Sequence, residues 1–315
     1  MTITVSRVAE EDRETALRLL FARFPQEEHS IRIEEALKSA QQGSLDLSGL
    51  LLARENDAPA GAALMMKQAD CVALVWPPVI SDQSIDAAEV EQALMRRLCE
   101  EIESSEAKLA QCLINPEDTS ETELLRSAGF IHSADLFFMA RHLSQEDRDD
   151  AGLQQETDQN ELQSIAFSAS TSDRFEGVIE QTYHQSLDCQ FLNGLRTGKD
   201  AVTSHKLSGQ FDPQHWQLYS AGPTDVGVLL MNPHFDQNGM ELVYLGVVPG
   251  FRGRGIGRRM LQAGIRTAAR AGLSMIFVAV DCGNAYANNL YSEMGFVELA
   301  RRRVLVRPSA EVARK

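Results

Sequence analysis

The sequence predicts a layered α/β fold (α+β in its strand order) that is built twice, and three observations predict it. In each half, antiparallel strand patterns lead into a strand–helix–strand unit. Each half closes on a short helix followed by Gly-Phe, at Gly129-Phe130 and Gly295-Phe296, about 166 residues apart. One repeat of that length marks a duplication and not a solenoid. Between the halves, residues 142–159 (HLSQEDRDDAGLQQETDQ) are polar, acidic and without hydrophobic period, and they read as an exposed connection. The expected domains are 1–143 and 156–315, each a mixed central sheet flanked by helices.

The elements follow in order. Residues 2–7 alternate as a strand does, and 12–24 carry apolar residues at helical spacing. Residues 50–54 and 61–66 read as strands paired around a turn at 56–59, and 71–76 as a strand that ends at Pro77-Pro78. A helix at 87–104, a strand at 109–114 and a short helix at 121–127 complete the first half. In the second, 173–185 is helical, 216–220 and 226–231 are strands, and 241–248 is a strand closing at Pro249. A helix at 258–271, a buried strand at 274–280 and a short helix at 285–292 follow.

Composition narrows the class of function. The 315 residues are 43% hydrophobic and 24% charged, the balance of a soluble globular protein of two domains. No run reaches the length of a membrane span, and the N-terminus lacks the basic-then-apolar order of a signal peptide, so the cytoplasm is the expected compartment. The five cysteines are never spaced as CxxC and the seven histidines form no HExxH pair, so no metal site is expected. A net charge of -15 argues against a partner held by phosphate neutralisation, and no nucleic acid or membrane is expected. From Glu241 onward, however, 12 basic residues face 5 acidic ones. That local surplus suits a small polyanion.

The surplus surrounds one loop. The strand at 241–248 passes through Pro249-Gly250-Phe251 into Arg252-Gly253-Arg254-Gly255-Ile256-Gly257, and an amphipathic helix follows. Glycines let the backbone bend tightly and bring unhindered N–H groups close to an anion. A helix N-terminus adds free N–H groups and partial positive charge, and Arg252, Arg254, Arg258 and Arg259 add full charges. A pyrophosphate fits such a nest. A dinucleotide loop would need a third glycine where Arg258 stands, and an NTPase loop would need Gly-Lys-Ser/Thr. A glycine-rich turn without a ligand is the alternative for the loop alone.

The segment VVPGFRGRGIG resembles the coenzyme A loop of the GNAT superfamily of N-acetyltransferases, in which V-x-P precedes R/Q-x-x-G-x-G/A. Residues 284–296 are similar to its second signature, N-x-x-A-x-x-L-Y-x-x-x-G-F, at every marked position. The resemblance covers 241–296 in motif and 159–307 in the order of elements. It implies two tandem GNAT-like domains, acetyl-CoA as co-substrate and an acceptor that is a small-molecule or peptide amine. Arg252, Gly253, Arg254, Gly255, Ile256, Gly257 and Arg258 would hold the pyrophosphate, and Leu245, Val247 and Val248 would pair with the pantetheine arm as an added strand does. Asn284 would lie along that arm, or cap the helix it precedes. The backbone near Val247 or Val248 would donate to the oxyanion.

Acetyl transfer needs a base for the amine and an acid for the leaving thiolate. Tyr291 stands where the superfamily places the tyrosine that serves the sulfur; as an amphipathic core residue it would equally fit its helix. Glu241 stands where some members carry the base, and desolvation against an apolar strand would raise its pKa; an exposed glutamate opening a strand is the alternative. A cysteine nucleophile, Cys189 or Cys282, would need a base partner that the sequence does not supply. A non-catalytic acyl-CoA sensor or scaffold, or a protein acetyltransferase, are the competing functions.

Aligned on its own ending, the first half has Leu125 in place of Tyr291, and PVISDQSID at 78–86 replaces the loop. That segment has no glycine and carries Asp82 and Asp86, which would repel a pyrophosphate. The first domain therefore reads as a copy without a cofactor loop, an arrangement that resembles the mycothiol synthase family. Substrate contacts are expected from 186–212 and from the cleft between the domains.

Overall fold

A computed structural model describes residues 2–68, 71–152, 162–192, 194–309 and 312. The first half holds β1 (Ile3–Arg7), α1 (Arg13–Leu20), α2 (His29–Gln41), β2 (Leu50–Glu55), β3 (Ala58–Lys67), β4 (Val72–Ile80), α3 (Ala87–Ser104), β5 (Leu109–Ile114), α4 (Thr119–Ser127) and β6 (Ile131–His142). After α5 (Gln145–Gly152) the same order returns as β7 (Gln163–Ala166), α6 (Ser172–Tyr183), α7 (Gly198–His205), β8 (Trp216–Ala221), β9 (Thr224–His234), β10 (Gly239–Val247), α8 (Ile256–Arg270), β11 (Met275–Asp281), α9 (Ala285–Glu293) and β12 (Val297–Pro308). This is the mixed α/β class that the periodicities predict.

By contacts the chain divides into two compact units, Met1–Ser133 with Arg303–Lys315, and Ala134–Arg302. In the first, β1 to β5 lie in sequence order and residues 303–308 of β12 close the sheet against β5. β4 and β5 run parallel. α3 lays Val90, Leu94 and Leu98 on this sheet, one residue per turn, each fully buried. In the second unit the order is β7-β8-β9-β10-β11, closed by residues 136–142 of β6. Its core gathers Trp216, Phe167 and Phe175 edge to face, with Met260, Leu261 and Ile265 from α8.

Two local expectations are corrected. β4 does not end at Pro77-Pro78 but runs on to Ile80. Its pairing with β5 stops at Val75, and its register with β3 shifts between Ala62 and Leu64, so the prolines sit where no ladder N–H is required. The expected exposed connection begins as structure: β6 continues to His142 and α5 follows. The Ser144 hydroxyl accepts from the Asp147 amide at 3.2 Å while the Asp147 carboxylate accepts from Ser144 N at 2.8 Å, a reciprocal cap that starts the helix without apolar period. Residues 153–161 lie outside the described residues.

In the first unit the turn from β4 into α3 is already satisfied by the chain itself. Glu55, at the end of β2 and 5% exposed, accepts from Ile85 N at 2.7 Å and Asp86 N at 3.0 Å. Asp86 caps α3 by accepting from Glu89 N at 3.2 Å. Carboxylates thus fill the position where the second half presents open amides. Glu55→Ala should destabilise this unit by about 1–3 kcal/mol, because the amides of Ile85 and Asp86 lose the buried carboxylate that accepts from both. Urea denaturation measures the loss; a change within error would show that water replaces the carboxylate without cost.

Candidate active site

β10 and β11 pair as parallel neighbours only from Gly239 to Glu241, opposite Met275 to Phe277. Beyond that they part, and the register of β10 against β9 shifts between Leu242 and Tyr244. A bulge beside a parting pair is how a sheet opens a slot without losing its outer ladder. A cavity of about 730 Å³ occupies the slot, walled by Val243, Leu245 and Val247 from β10, Val278 and Val280 from β11, and Tyr291 from α9. The segment after α6, from Gln185 to Asp188, lines it from above.

At one end of the cavity the chain turns at Pro249–Phe251 and passes Gly253 and Gly255, both with φ of 74°. α8 then starts at Ile256 with no side-chain cap, so its first amides have no intrahelical acceptor and no capping oxygen. Gly253, Gly255, Ile256, Gly257 and Arg258 all line the cavity. A Cβ at Gly253 or Gly255 would meet no protein atom within 4 Å, so the space beside the loop is open and free of packing. These features suit an anion.

The arginines divide their work. Arg252 lines the cavity but donates to three carbonyls, those of Val247 at 2.9 Å, Gln185 at 3.0 Å and Thr182 at 2.8 Å, and so ties the segment after α6 to the loop. Arg258 pairs with Glu293 of α9. Arg254 stacks 5.0 Å from the Phe251 ring and lies off the cavity wall.

Leu245 and Val247 face the cavity; Val248 is buried and its amide donates to Val226 O at 2.9 Å. Asn284 does two things at once: it caps α9 by accepting from Ala287 N at 3.2 Å, and it lines the cavity. Tyr291 is 5% exposed, with its ring 5.5 Å from Phe296. Burial, and after it the charge of Asp188, pushes the phenol up, so it holds its proton at neutral pH.

Glu241 lies just outside the cavity lining, on the last residue of β10 that still pairs with β11. Its carboxylate accepts from the Ser208 hydroxyl and from His234 Nε2, the latter at 2.8 Å, and its side chain is 25% exposed. Asn232, its partner on β9, is fully buried and donates to Ser208 O at 2.5 Å and His205 O at 2.7 Å, which fixes the turn that carries Ser208. Gly209 makes that turn possible: its φ is 58°, and a Cβ there would stand 2.6 Å from His234 Nε2. Cys189 is pushed up by burial and then by Asp188 and Asp281, and Cys282 by burial, so both thiols stay protonated and neither suits a nucleophile.

Residues 182–296 match the model of the acetyltransferase (GNAT) family. The match covers little more than a third of the chain, in its second half. Among curated proteins it is 33% identical over 104 residues to the mycothiol acetyltransferase of Streptomyces scabiei (strain 87.22), a match spanning 33% of each chain. It is 22% identical over 216 residues to that of Jonesia denitrificans, covering 63% of this chain and 62% of the relative. The matches therefore span between about a third and three-fifths of those relatives. Of solved structures, a GCN5-related N-acetyltransferase from Sphaerobacter thermophilus aligns with a TM-score of 0.64 at 18% identity, over 98% of this chain and 96% of that one. A tandem GNAT protein from the clavulanic acid biosynthesis pathway aligns with a TM-score of 0.58 at 11% identity, over 98% of both chains. At such identities the likeness is one of fold.

The matched region brings together residues that no local pattern announces. Asp188, Ser208, Asn232 and His234 reach the site from three different segments, 53 to 7 positions before Glu241. Asp188 fell within the stretch at 186–212 expected to touch substrate, and a carboxylate there was the available signal. Asp188, Cys189 and Asp281 place potential ligand atoms within 4.8 Å of one another. The carboxylates of this group accept from the amides of Asp281, Cys189 and Gly283, which makes the group a clamp between segments. Among the described residues, no helix is long and apolar enough to cross a membrane.

Proposed function

We propose that this chain moves an acetyl group from acetyl-CoA to a primary amine by direct attack of the amine on the thioester. The observation that carries the reading is the cavity between β10 and β11, with the uncapped N-terminus of α8 at one end and Tyr291 on its wall. Arg258 and the amides of 253–257 would hold the pyrophosphate, β10 the pantetheine arm along Leu245 and Val247, and Asn284 the opposite side. Glu241, held by Ser208 and His234 at the point where the strands part, accepts the amine proton. Tyr291 donates to the departing sulfur. Both GNAT copies, 1–143 and 156–315, descend from one domain in this reading, and the first has no coenzyme site because Glu55 and Asp86 occupy its turn. The acceptor is a small-molecule amine, in keeping with the relatives named as mycothiol acetyltransferases. The cytoplasm, which holds acetyl-CoA, is the compartment we propose.

A thermal-shift titration with acetyl-CoA, followed by thiol release with spermidine, kanamycin, glucosamine and a lysine peptide, tests this. Stabilisation with thiol release from a small amine is expected. Stabilisation without release from any amine would favour a sensor, release from the peptide alone a protein acetyltransferase, and no stabilisation would sink the coenzyme site. Glu241→Gln should lower kcat about 10²–10³-fold near neutrality. The deficit should shrink as pH rises, because the amine then loses its proton unaided. A deficit constant across the pH profile would remove Glu241 as the base.

A further inference from the structure

The glycine loop reaches the segment after α6 through the side chain of Arg252. Each of its three guanidinium nitrogens donates to a backbone carbonyl: Nε to Val247 O at 2.9 Å, Nη1 to Gln185 O at 3.0 Å and Nη2 to Thr182 O at 2.8 Å. Thr182 lies in the last turn of α6, where carbonyls have no intrahelical partner and a cation is favoured. The charge beside the loop is thus spent on the end of a helix, and the amides of 253–257 are left for an anion. Beneath this junction the Thr182 hydroxyl lies 2.7 Å from Tyr244 Oη, and a Cβ at Gly246 would stand 2.8 Å from Thr182 Oγ1, so β10 carries the end of α6 directly. At its far end the segment is tied to β11. Asp188 Oδ1 accepts from Asp281 N at 3.0 Å, and Asp281 Oδ2 accepts from Cys189 N at 3.2 Å. Between the two ties, residues 185–188 line the cavity. Gln185 and Cys189, at the bends, hold φ of 55° and 43°, which side chains keep only where the surrounding contacts enforce it.

We infer that Arg252 is a positioning residue that couples two sides of the cavity: coenzyme bound at 253–257 fixes the loop, and through Arg252 the loop fixes the segment 185–188. The last three residues of that segment open the stretch expected to meet the acceptor, so the coenzyme sets the wall against which the acceptor docks. The inference rests on the proposed coenzyme site and deepens it. It gives Arg252 a different task from the phosphate contact that its place in the loop implies. Left-handed glycines at 253 and 255 turn neighbouring amides toward a common point, an arrangement that a bound anion stabilises. With the nest filled, the backbone at Arg252 is held as well. A planar guanidinium with three carbonyl partners passes that position on, as a flexible ammonium does not. The tie between Asp188 and Asp281 needs no ligand and serves as the fixed end of the segment. The end at Arg252 is the one that the coenzyme sets. Coupling of this kind is reciprocal, so a segment held in place also favours the filled nest.

Acetyl-CoA is the probe, and no acceptor is required. Hydrogen–deuterium exchange of the full chain is followed with and without saturating acetyl-CoA, in peptides spanning 253–260 and 183–189. In the wild type both regions should be slowed by acetyl-CoA, the second about tenfold. In Arg252→Gln the first should stay protected while the slowing of the second falls below about twofold, and the Kd for acetyl-CoA in calorimetry should rise by no more than about tenfold, the size of the coupling itself. A purely structural arginine would speed exchange at 183–189 equally in both states and leave their ratio as in the wild type, and that result overturns the inference. So does bound acetyl-CoA that leaves 183–189 of the wild type unprotected. A Kd raised beyond about tenfold would make Arg252 a phosphate ligand and overturn it too. If Arg252→Gln fails to fold, Arg252→Lys keeps the charge without the planar fork, and the same loss of ratio is expected. Failure of wild-type protein to bind acetyl-CoA in calorimetry would instead overturn the coenzyme site on which the inference rests.

Discussion

Replacing Gly255 with valine should weaken acetyl-CoA binding by at least about 100-fold, a loss of about 2.7 kcal/mol. Two effects combine. The residue has φ of 74°, where a β-branched side chain is strained by about 1–3 kcal/mol, so the loop leaves its present path. The new side chain would also project into space that holds no protein atom within 4 Å, in front of the uncapped amides of α8. Calorimetry with acetyl-CoA measures the loss directly. Because the position bears no packing, the melting temperature of the apo protein should fall only modestly. Retained affinity would mean that the anion sits elsewhere, and Gly253 and Gly255 would then be turn residues alone.

Replacing Tyr291 with phenylalanine should lower kcat by about 10²–10³-fold and leave the KM for acetyl-CoA nearly unchanged. The ring makes the packing contact with Phe296, and phenylalanine keeps it, so only the hydroxyl is lost. A group that acts when charge develops on sulfur is felt in the transition state and not in the bound ground state. Steady-state thiol release, with whichever amine of the panel the wild type accepts, separates the two constants. An equal loss of kcat and of coenzyme affinity would return Tyr291 to the role of a core residue.

What was legible from residues alone was local. The run from Val247 to Gly257 carries its own geometry, because left-handed glycines and a helix start are decided by neighbours in sequence. Asn284 could be read both as a cap and as a wall residue, and both contacts are present. Other elements were harder to see. α2 buries only Ile33 and Ala36 and exposes Ile31, so its apolar face is too narrow to register as a period. α5 depends on the Ser144 and Asp147 cap and not on any hydrophobic stripe. The role of Arg252 was also hidden: its three carbonyl partners include two about 70 positions away, and only folding tells an arginine that ties loops from one that meets phosphate.

The sequence by itself determined the mixed α/β class, the repeated order of elements and the glycine loop ahead of α8, since each follows from periodicity or from backbone preferences within a few residues. Only the tertiary structure decided which strand closes each sheet, with residues 303–308 joining β5 and 136–142 joining β11. It alone brought Ser208 and His234 to Glu241, and Asp188 to the wall that holds Tyr291. The physical reason is common to all of these. Strand pairing and the approach of charged groups are settled by packing between distant segments, and a carboxylate carries no local mark of the hydrogen bonds it will accept once buried.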